Sequence, residues 1–139
     1  WQSEVFCFTA KSSRRPQVIA VDTSTFVSYL RGDPGQDIEV LDLALENKQV
    51  VLPPVVLTEL LSCPHLDVEV VSLLKTLPLL ELFNGYWERA ADIRSLLLAK
   101  ARIADALIAQ CCLDHKLGLL TRDADFKAFS KICGLVLVR

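Results

Sequence analysis

Short runs of apolar residues, separated by stretches with helical spacing, are the feature that most constrains how this chain folds. These runs lie at residues 18–21, 50–52, 79–83, 117–120 and 135–138. Each run has the length of a buried strand, and the intervals repeat apolar residues at the period of an α-helix. The alternation predicts an α/β fold whose central, mainly parallel sheet of four to five strands is covered by helices on both faces.

Composition places the chain among ordinary globular domains. It has 139 residues, of which 52% are apolar, and this is enough to fill one core and to exclude intrinsic disorder. The 17 acidic residues outnumber the 15 basic ones, so no overall positive field holds nucleic acid by charge alone. Proteins of the histone or basic-tail kind are therefore excluded.

The ends of the chain and its cysteines bear on its organisation and its compartment. We interpret residues 1–17 as a leader or arm and residues 18–139 as the folded domain. The five cysteines form no C-x-x-C pair, which predicts free thiols in a reducing compartment and favours the cytoplasm. No apolar run approaches the roughly 20 residues of a membrane span, so no membrane association is expected.

Four acidic residues lie at junctions between the predicted elements. Asp22 follows the first strand, where Thr23–Thr25 provide cap residues for the next helix. Pro53 and Pro54 begin a helix that contains Glu59. The other two acids are Asp105, in the first turn of a helix, and Asp123, after the strand at 117–120. Since ligands of parallel sheets bind beyond the carboxyl ends of the strands, these acids are expected to converge.

Several carboxylates in one place repel one another unless a cation neutralises them. Oxygen ligands without His or Cys favour Mg²⁺ or Mn²⁺ over Zn²⁺, and such ions serve the hydrolysis of phosphodiesters in nucleic acids or nucleotides. Each acid taken alone also has a structural explanation. Asp22 merely ends a strand, and Asp105 stabilises a helix start through the helix dipole. The combined placement of the four is what favours a metal site.

Four segments together resemble the PIN domain, and within that family the VapC-type toxin ribonucleases of toxin–antitoxin pairs. The segments are Val21-Asp22-Thr23-Ser24, Pro54-Val55-Val56-Leu57-Thr58-Glu59, Ile103-Ala104-Asp105-Ala106-Leu107-Ile108-Ala109 and Leu119-Leu120-Thr121-Arg122-Asp123-Ala124-Asp125-Phe126. The resemblance extends over residues 18–138. It rests on the order and distances of the four motifs, because none of them is specific alone.

The resemblance implies a three-layer α/β/α fold, a homodimer, Mg²⁺- or Mn²⁺-dependent endonucleolytic cleavage of RNA, and an antitoxin whose C-terminal segment crosses the cleft. It also implies a catalytic and metal-binding quartet and three supporting residues. The quartet is Asp22, Glu59, Asp105 and Asp123, and the supporting residues are Ser24, Thr121 and Asp125.

Cations are needed beside an acidic site that binds RNA phosphates, and four basic residues lie near the motifs. They are Arg122, Arg102, Lys100 and Arg31, with Arg122 the strongest candidate because it directly precedes Asp123. Solvated Lys and Arg are also normal on any protein surface.

Two other functions are compatible with part of the pattern. A PIN-like binding scaffold without catalysis would be expected to have a broken quartet, and this quartet is intact. A phosphoacceptor receiver domain needs two adjacent acids after the first strand, but Val21 precedes Asp22. It also needs a Lys after the last core strand, and the end of this chain supplies only Arg139. Both alternatives are therefore less favoured than the nuclease.

Overall fold

The computed structural model describes residues 17–97 and 101–138 of the chain. Within that part there are three strands and seven helices. The strands are β1 (Ile19–Val21), β2 (Val50–Val51) and β3 (Leu119–Leu120). The helices are α1 (Thr23–Arg31), α2 (Gln36–Glu46), α3 (Pro54–Leu61), α4 (Val68–Thr76), α5 (Tyr86–Leu97), α6 (Ile103–His115) and α7 (Phe126–Cys133).

The sheet is parallel and has β1 at its centre. Ile19 pairs with Val50 on one side, and Val21 pairs with Leu120 on the other, which gives the order β2-β1-β3. All three residues of β1 are buried. Burial on both faces of the sheet explains why β1 contains a continuous apolar run and shows no polar alternation.

The predicted strands at 79–83 and 135–138 are reduced to single parallel bridges at the two edges of the sheet. Leu79 bridges to Leu52, and Leu137 bridges to Leu119. The neighbouring strands are too short for longer pairing. Pro53 follows Leu52 and lacks the N–H that would continue the ladder, and β3 ends at Leu120, where the loop to α7 begins. The expected sheet of four to five strands is thus three strands extended by two bridges.

The path of the chain accounts for three layers. From β1 it moves to β2 and on to Leu79 in one direction, then returns to β3 and Leu137 on the other side of β1. Right-handed crossovers therefore place the helices of the two halves on opposite faces. In agreement, α1 packs on α2 and α3, and α5 packs on α6 and α7. The α/β/α architecture expected from the sequence is confirmed.

Phenylalanines and leucines fill the core between the layers. Phe26 of α1 and Phe126 and Phe129 of α7 are among its largest fully buried side chains. The described helices include none with the length and hydropathy needed to cross a bilayer.

Replacing Phe26 with Ala should lower the free energy of unfolding by about 3–5 kcal/mol, because this side chain is 0% exposed and its loss leaves a cavity. Urea denaturation followed by circular dichroism measures the change. The matched control is Leu43→Ala on α2, where the side chain is 59% exposed and the expected change is within about 0.5 kcal/mol. Equal losses in the two variants would contradict this description of the core.

Candidate metal centre

The carboxyl ends of β1 and β3 bring two distant parts of the chain together. Because the strands are parallel and Val21 pairs with Leu120, the next residues, Asp22 and Thr121, lie side by side. The backbone N–H of Asp22 donates to the carbonyl oxygen of Leu120 over 2.9 Å. The site therefore begins where the sheet ends, as expected for a parallel sheet.

Two hydroxyl groups hold the carboxylate of Asp22. Its Oδ2 accepts hydrogen bonds from Ser24 Oγ at 2.7 Å and from Thr121 Oγ1 at 2.8 Å, and these hydroxyl oxygens are 3.3 Å apart. Asp22 is buried. Donors that converge on one carboxylate oxygen fix the orientation of the carboxylate.

Asp105 is a buried acid in the first turn of α6, with 9% of its surface exposed. Burial, followed by the negative charges of Asp123 and Asp22, raises the pKa of Asp105 to about 6, although the nearby Arg102 acts in the opposite direction. A carboxyl group that is both buried and surrounded by like charge indicates a functional site.

Three acids form what we call the carboxylate cluster: Asp105, Asp123 and Asp125. One carboxylate oxygen from each lies within 4.8 Å of the others. Two hydrogen bonds within the loop after β3 hold Asp123 and Asp125 close together. Thr121 Oγ1 accepts the N–H of Asp123 at 3.0 Å, and Asp123 Oδ1 accepts the N–H of Asp125 at 2.9 Å.

The chemistry of the cluster fits a divalent cation. Three carboxylates offer hard oxygen ligands, and their mutual repulsion is relieved when a cation binds among them. Neither His nor Cys belongs to the cluster, so the donor set suits Mg²⁺ or Mn²⁺ better than Zn²⁺.

The predicted quartet is divided in the structure. Asp105 and Asp123 lie in the carboxylate cluster, and Asp22 lies close enough for its charge to act on Asp105. Glu59 of α3 lies outside the cluster, and its Oε1 accepts a hydrogen bond from Thr23 Oγ1 at 2.6 Å. The third acid of the cluster is Asp125, for which the family resemblance implies only a supporting role.

The start of α1 differs in detail from the sequence-based expectation. The residues Thr23, Ser24 and Thr25 were expected to cap the helix, but none of the described side chains caps it. Their hydroxyl groups instead donate to three different acids, Glu59, Asp22 and Asp37 respectively. Successive helical residues point about 100° apart, so one helical turn reaches acids from three parts of the chain.

The four basic candidates are in different situations. Arg102 is exposed directly before α6, and Arg31 is exposed at the end of α1. Arg122 forms an ion pair with Asp37, in which Nη2 and Oδ1 are 2.8 Å apart. Lys100 lies outside the described residues. A phosphate contact by any of the four stays a prediction.

Sequence reasoning missed Thr23 and Asp37 as partners of site residues. Thr23 donates to an acid 36 residues away, and Asp37 pairs with a cation 85 residues away. Each of these residues lies in the first turn of a helix, where hydroxyl and acidic residues are common. A single sequence contains no signal for such long-range partners.

The raised pKa of Asp105 makes the stability of the metal-free protein depend on pH. The folded state holds this proton up to about pH 6, whereas the unfolded chain releases it near its ordinary pKa of 3.8. The contribution to the free energy of unfolding is complete below about pH 4 and is lost as the pH rises through 6.

The variant Asp105→Asn has no carboxyl group at this position, so it should not lose this stability as the pH rises. In EDTA, its free energy of unfolding minus that of the wild type should rise by on the order of 2 kcal/mol between pH 4 and pH 7.5. Thermal melts at a series of pH values measure the difference. A difference that stays constant across this range would contradict the assignment.

Comparisons with known proteins agree with this fold. A profile described as PIN domain matches residues 19–132. Among solved structures, a chain of a toxin–antitoxin complex from Klebsiella pneumoniae is similar, with a TM-score of 0.63 and 22% sequence identity. That alignment covers 85% of this chain and 95% of the other. A search of curated proteins found no match. Since the PIN profile spans most of the chain, this protein belongs to the PIN domain family.

Proposed function

We propose that this protein is a Mg²⁺- or Mn²⁺-dependent endoribonuclease and the toxin of a type II toxin–antitoxin pair, of the VapC kind. The single observation that carries the proposal is the carboxylate cluster at the carboxyl edge of the sheet, next to the buried Asp22. PIN domains are generally nucleases, so membership of the family supports the same chemistry.

The residues have distinct proposed roles. Asp105, Asp123 and Asp125 hold the cation, and Asp22 completes the negative field around it. Ser24 and Thr121 keep Asp22 oriented. When bound, a divalent cation at such a site supplies an activated water and neutralises the charge that develops on the phosphate oxygens.

Glu59 lies outside the carboxylate cluster, and its proposed role differs from that of the metal ligands. It lies one hydrogen bond from Thr23, the residue after Asp22, and we assign it to positioning the attacking water at the edge of the site. Its separation from the carboxylate cluster means that its replacement should affect the rate of cleavage more than the affinity for the cation.

An RNA substrate is consistent with the charges around the site. The acidic centre repels phosphates, and exposed cations such as Arg102 beside Asp105 offset that repulsion. Arg31 is a further proposed contact. Arg122 is already engaged with Asp37, so its side chain is less free to bind a phosphate.

The proposed partners are an antitoxin and a second copy of the chain. The solved neighbour belongs to a toxin–antitoxin complex, which supports an antitoxin partner here. We further propose that a basic side chain of this antitoxin faces the acids. A cytoplasmic location agrees with the free cysteines among the described residues, which are Cys63, Cys111, Cys112 and Cys133.

Cleavage of RNA should require both the cation and Asp105. Purified protein is incubated with a panel of RNAs in Mg²⁺ or in EDTA, and we expect cutting only in Mg²⁺. The variant Asp105→Asn should lose at least about hundredfold in rate, because metal assistance supplies several kcal/mol to such reactions.

The matched control is Asp114→Asn, in the last turn of the same helix, where Asp114 pairs with Arg89 away from the carboxylate cluster. It should cut RNA at the wild-type rate. Full activity of Asp105→Asn would rule out the nuclease site. Inactivity of the wild type on every RNA, without a rise in melting temperature in Mg²⁺, would favour a catalytically silent scaffold.

Dimerisation is proposed through an apolar groove of about 370 Å³ between α5 and α6, lined by Trp87, Ile103 and Leu107. Trp87 is 62% exposed and Ile103 is 61% exposed, and a second copy of the chain packed on this groove would remove both side chains from water.

Sedimentation velocity at micromolar concentration should show a dimer for the wild type and a monomer for Trp87→Lys. The control Val68→Lys, at a 79% exposed position on α4, should remain dimeric. A monomeric wild type would contradict the proposal.

A further inference from the structure

A bidentate ion pair joins the loop after β3 to the start of α2. Arg122 Nε donates to Asp37 Oδ2 at 2.9 Å, and its Nη2 donates to Oδ1 at 2.8 Å. Arg122 lies between Thr121, which holds Asp22, and Asp123 of the carboxylate cluster. The pair therefore fixes the middle of the segment that links the two parts of the proposed metal site.

Two further hydrogen bonds support the ion pair of Arg122 with Asp37. Thr25, which is fully buried, donates to Asp37 Oδ2 at 3.0 Å, and Arg122 Nη2 also donates to the carbonyl oxygen of Pro34 at 3.3 Å. The hydrogen bond from Arg122 holds the pKa of Asp37 below its ordinary value, so Asp37 stays ionised.

Gly35 leaves the space that the pair occupies. It has φ +153°, a conformation that is nearly restricted to glycine. A Cβ at this position would lie 2.6 Å from Asp37 Oδ1 and 2.8 Å from Arg122 Nη2. Both the conformation of the loop before α2 and the absence of a side chain in it therefore serve this contact.

The loop at 121–125 needs an external restraint because it contains two of the three clustered acids. Asp123 and Asp125 lie within 4.8 Å of Asp105, so in the absence of a cation their charges push the loop away from α6. Asp105 is fixed by its helix. The loop is held by the hydrogen bond from Thr121 to Asp22 and by the ion pair of Arg122.

We propose that Asp37 is a positioning residue for the metal site, which acts through Arg122 to keep Asp123 and Asp125 at the distance from Asp105 that a divalent cation needs. The inference rests on the proposed function only in so far as the carboxylate cluster binds a cation. In this role Arg122 is a structural tether, and Asp37 never contacts the cation or the substrate.

The matched control is the ion pair of Arg89 with Asp114. It has the same bidentate form, with distances of 2.7 Å and 3.1 Å. Asp114 lies nine residues after Asp105 on α6, which is about 13 Å along the helix axis. Loss of either pair removes one partly exposed ion pair, but only the pair at Arg122 restrains the proposed metal ligands.

The experiment measures Mn²⁺ binding in the absence of RNA, by electron paramagnetic resonance of the free ion. We expect the dissociation constant for Mn²⁺ to be about tenfold larger in Asp37→Asn than in the wild type. This is the lower end of the loss in metal affinity found when residues that orient metal ligands are replaced. Asp114→Asn should bind as the wild type does. Asp37→Glu, which keeps the carboxylate, should recover part of the affinity.

Thermal melts establish that each variant is folded. If Asp37→Asn does not fold, Arg122→Gln removes the other half of the pair and should show the same weakening. Wild-type affinity in the folded variant would overturn the positioning role and leave the proposed nuclease intact. Absence of Mn²⁺ binding by the wild type would instead overturn the metal site itself and this inference with it.

Discussion

Repulsion between carboxylates is the interaction around which the functional edge of this protein is arranged. Asp105, Asp123 and Asp125 lie within 4.8 Å of one another, and Asp22 is buried nearby. Such an arrangement is unfavourable in the free protein because like charges repel. Burial and, after it, the charges of Asp123 and Asp22 raise the pKa of Asp105. Hydroxyl groups and one ion pair hold neighbouring parts of the site in place, and a cation bound as proposed would relieve the repulsion.

The first turn of α1 supplies part of these restraints. Three consecutive hydroxyl residues donate to acids on α3, at the end of β1 and on α2, so this turn joins three segments at one place. Polar residues at a helix start usually stabilise that helix by capping it. Here they stabilise the relative positions of the acids, and the helix begins without a side-chain cap among the described residues.

The sequence predicted the features that depend on local pattern and on general rules of sheets. The buried run of β1 located Asp22, helical spacing located Asp105, and the rule on parallel strand ends predicted that both would lie at one edge. The sequence did not indicate that Asp125 would be in the carboxylate cluster and Glu59 outside it. The position of Asp125 depends on the conformation of the loop after β3, which includes hydrogen bonds between residues 121, 123 and 125. Glu59 lies on α3 and bonds to Thr23 instead.

The two sides of the carboxylate cluster differ in rigidity, and this difference determines which contacts matter for function. Asp105 belongs to a helix whose neighbouring residues Ala106, Ala109 and Cys112 are buried in the core, so its position is set by packing. Asp123 and Asp125 belong to the loop between β3 and α7, which is held by polar contacts and, at its end, by the buried Phe126. If the cluster binds a cation as proposed, its affinity depends on the distance between the two sides, so a residue that never contacts the cation, such as Asp37, would act on that affinity through the loop. The ion pair that restrains this loop would then belong to the site together with the acids.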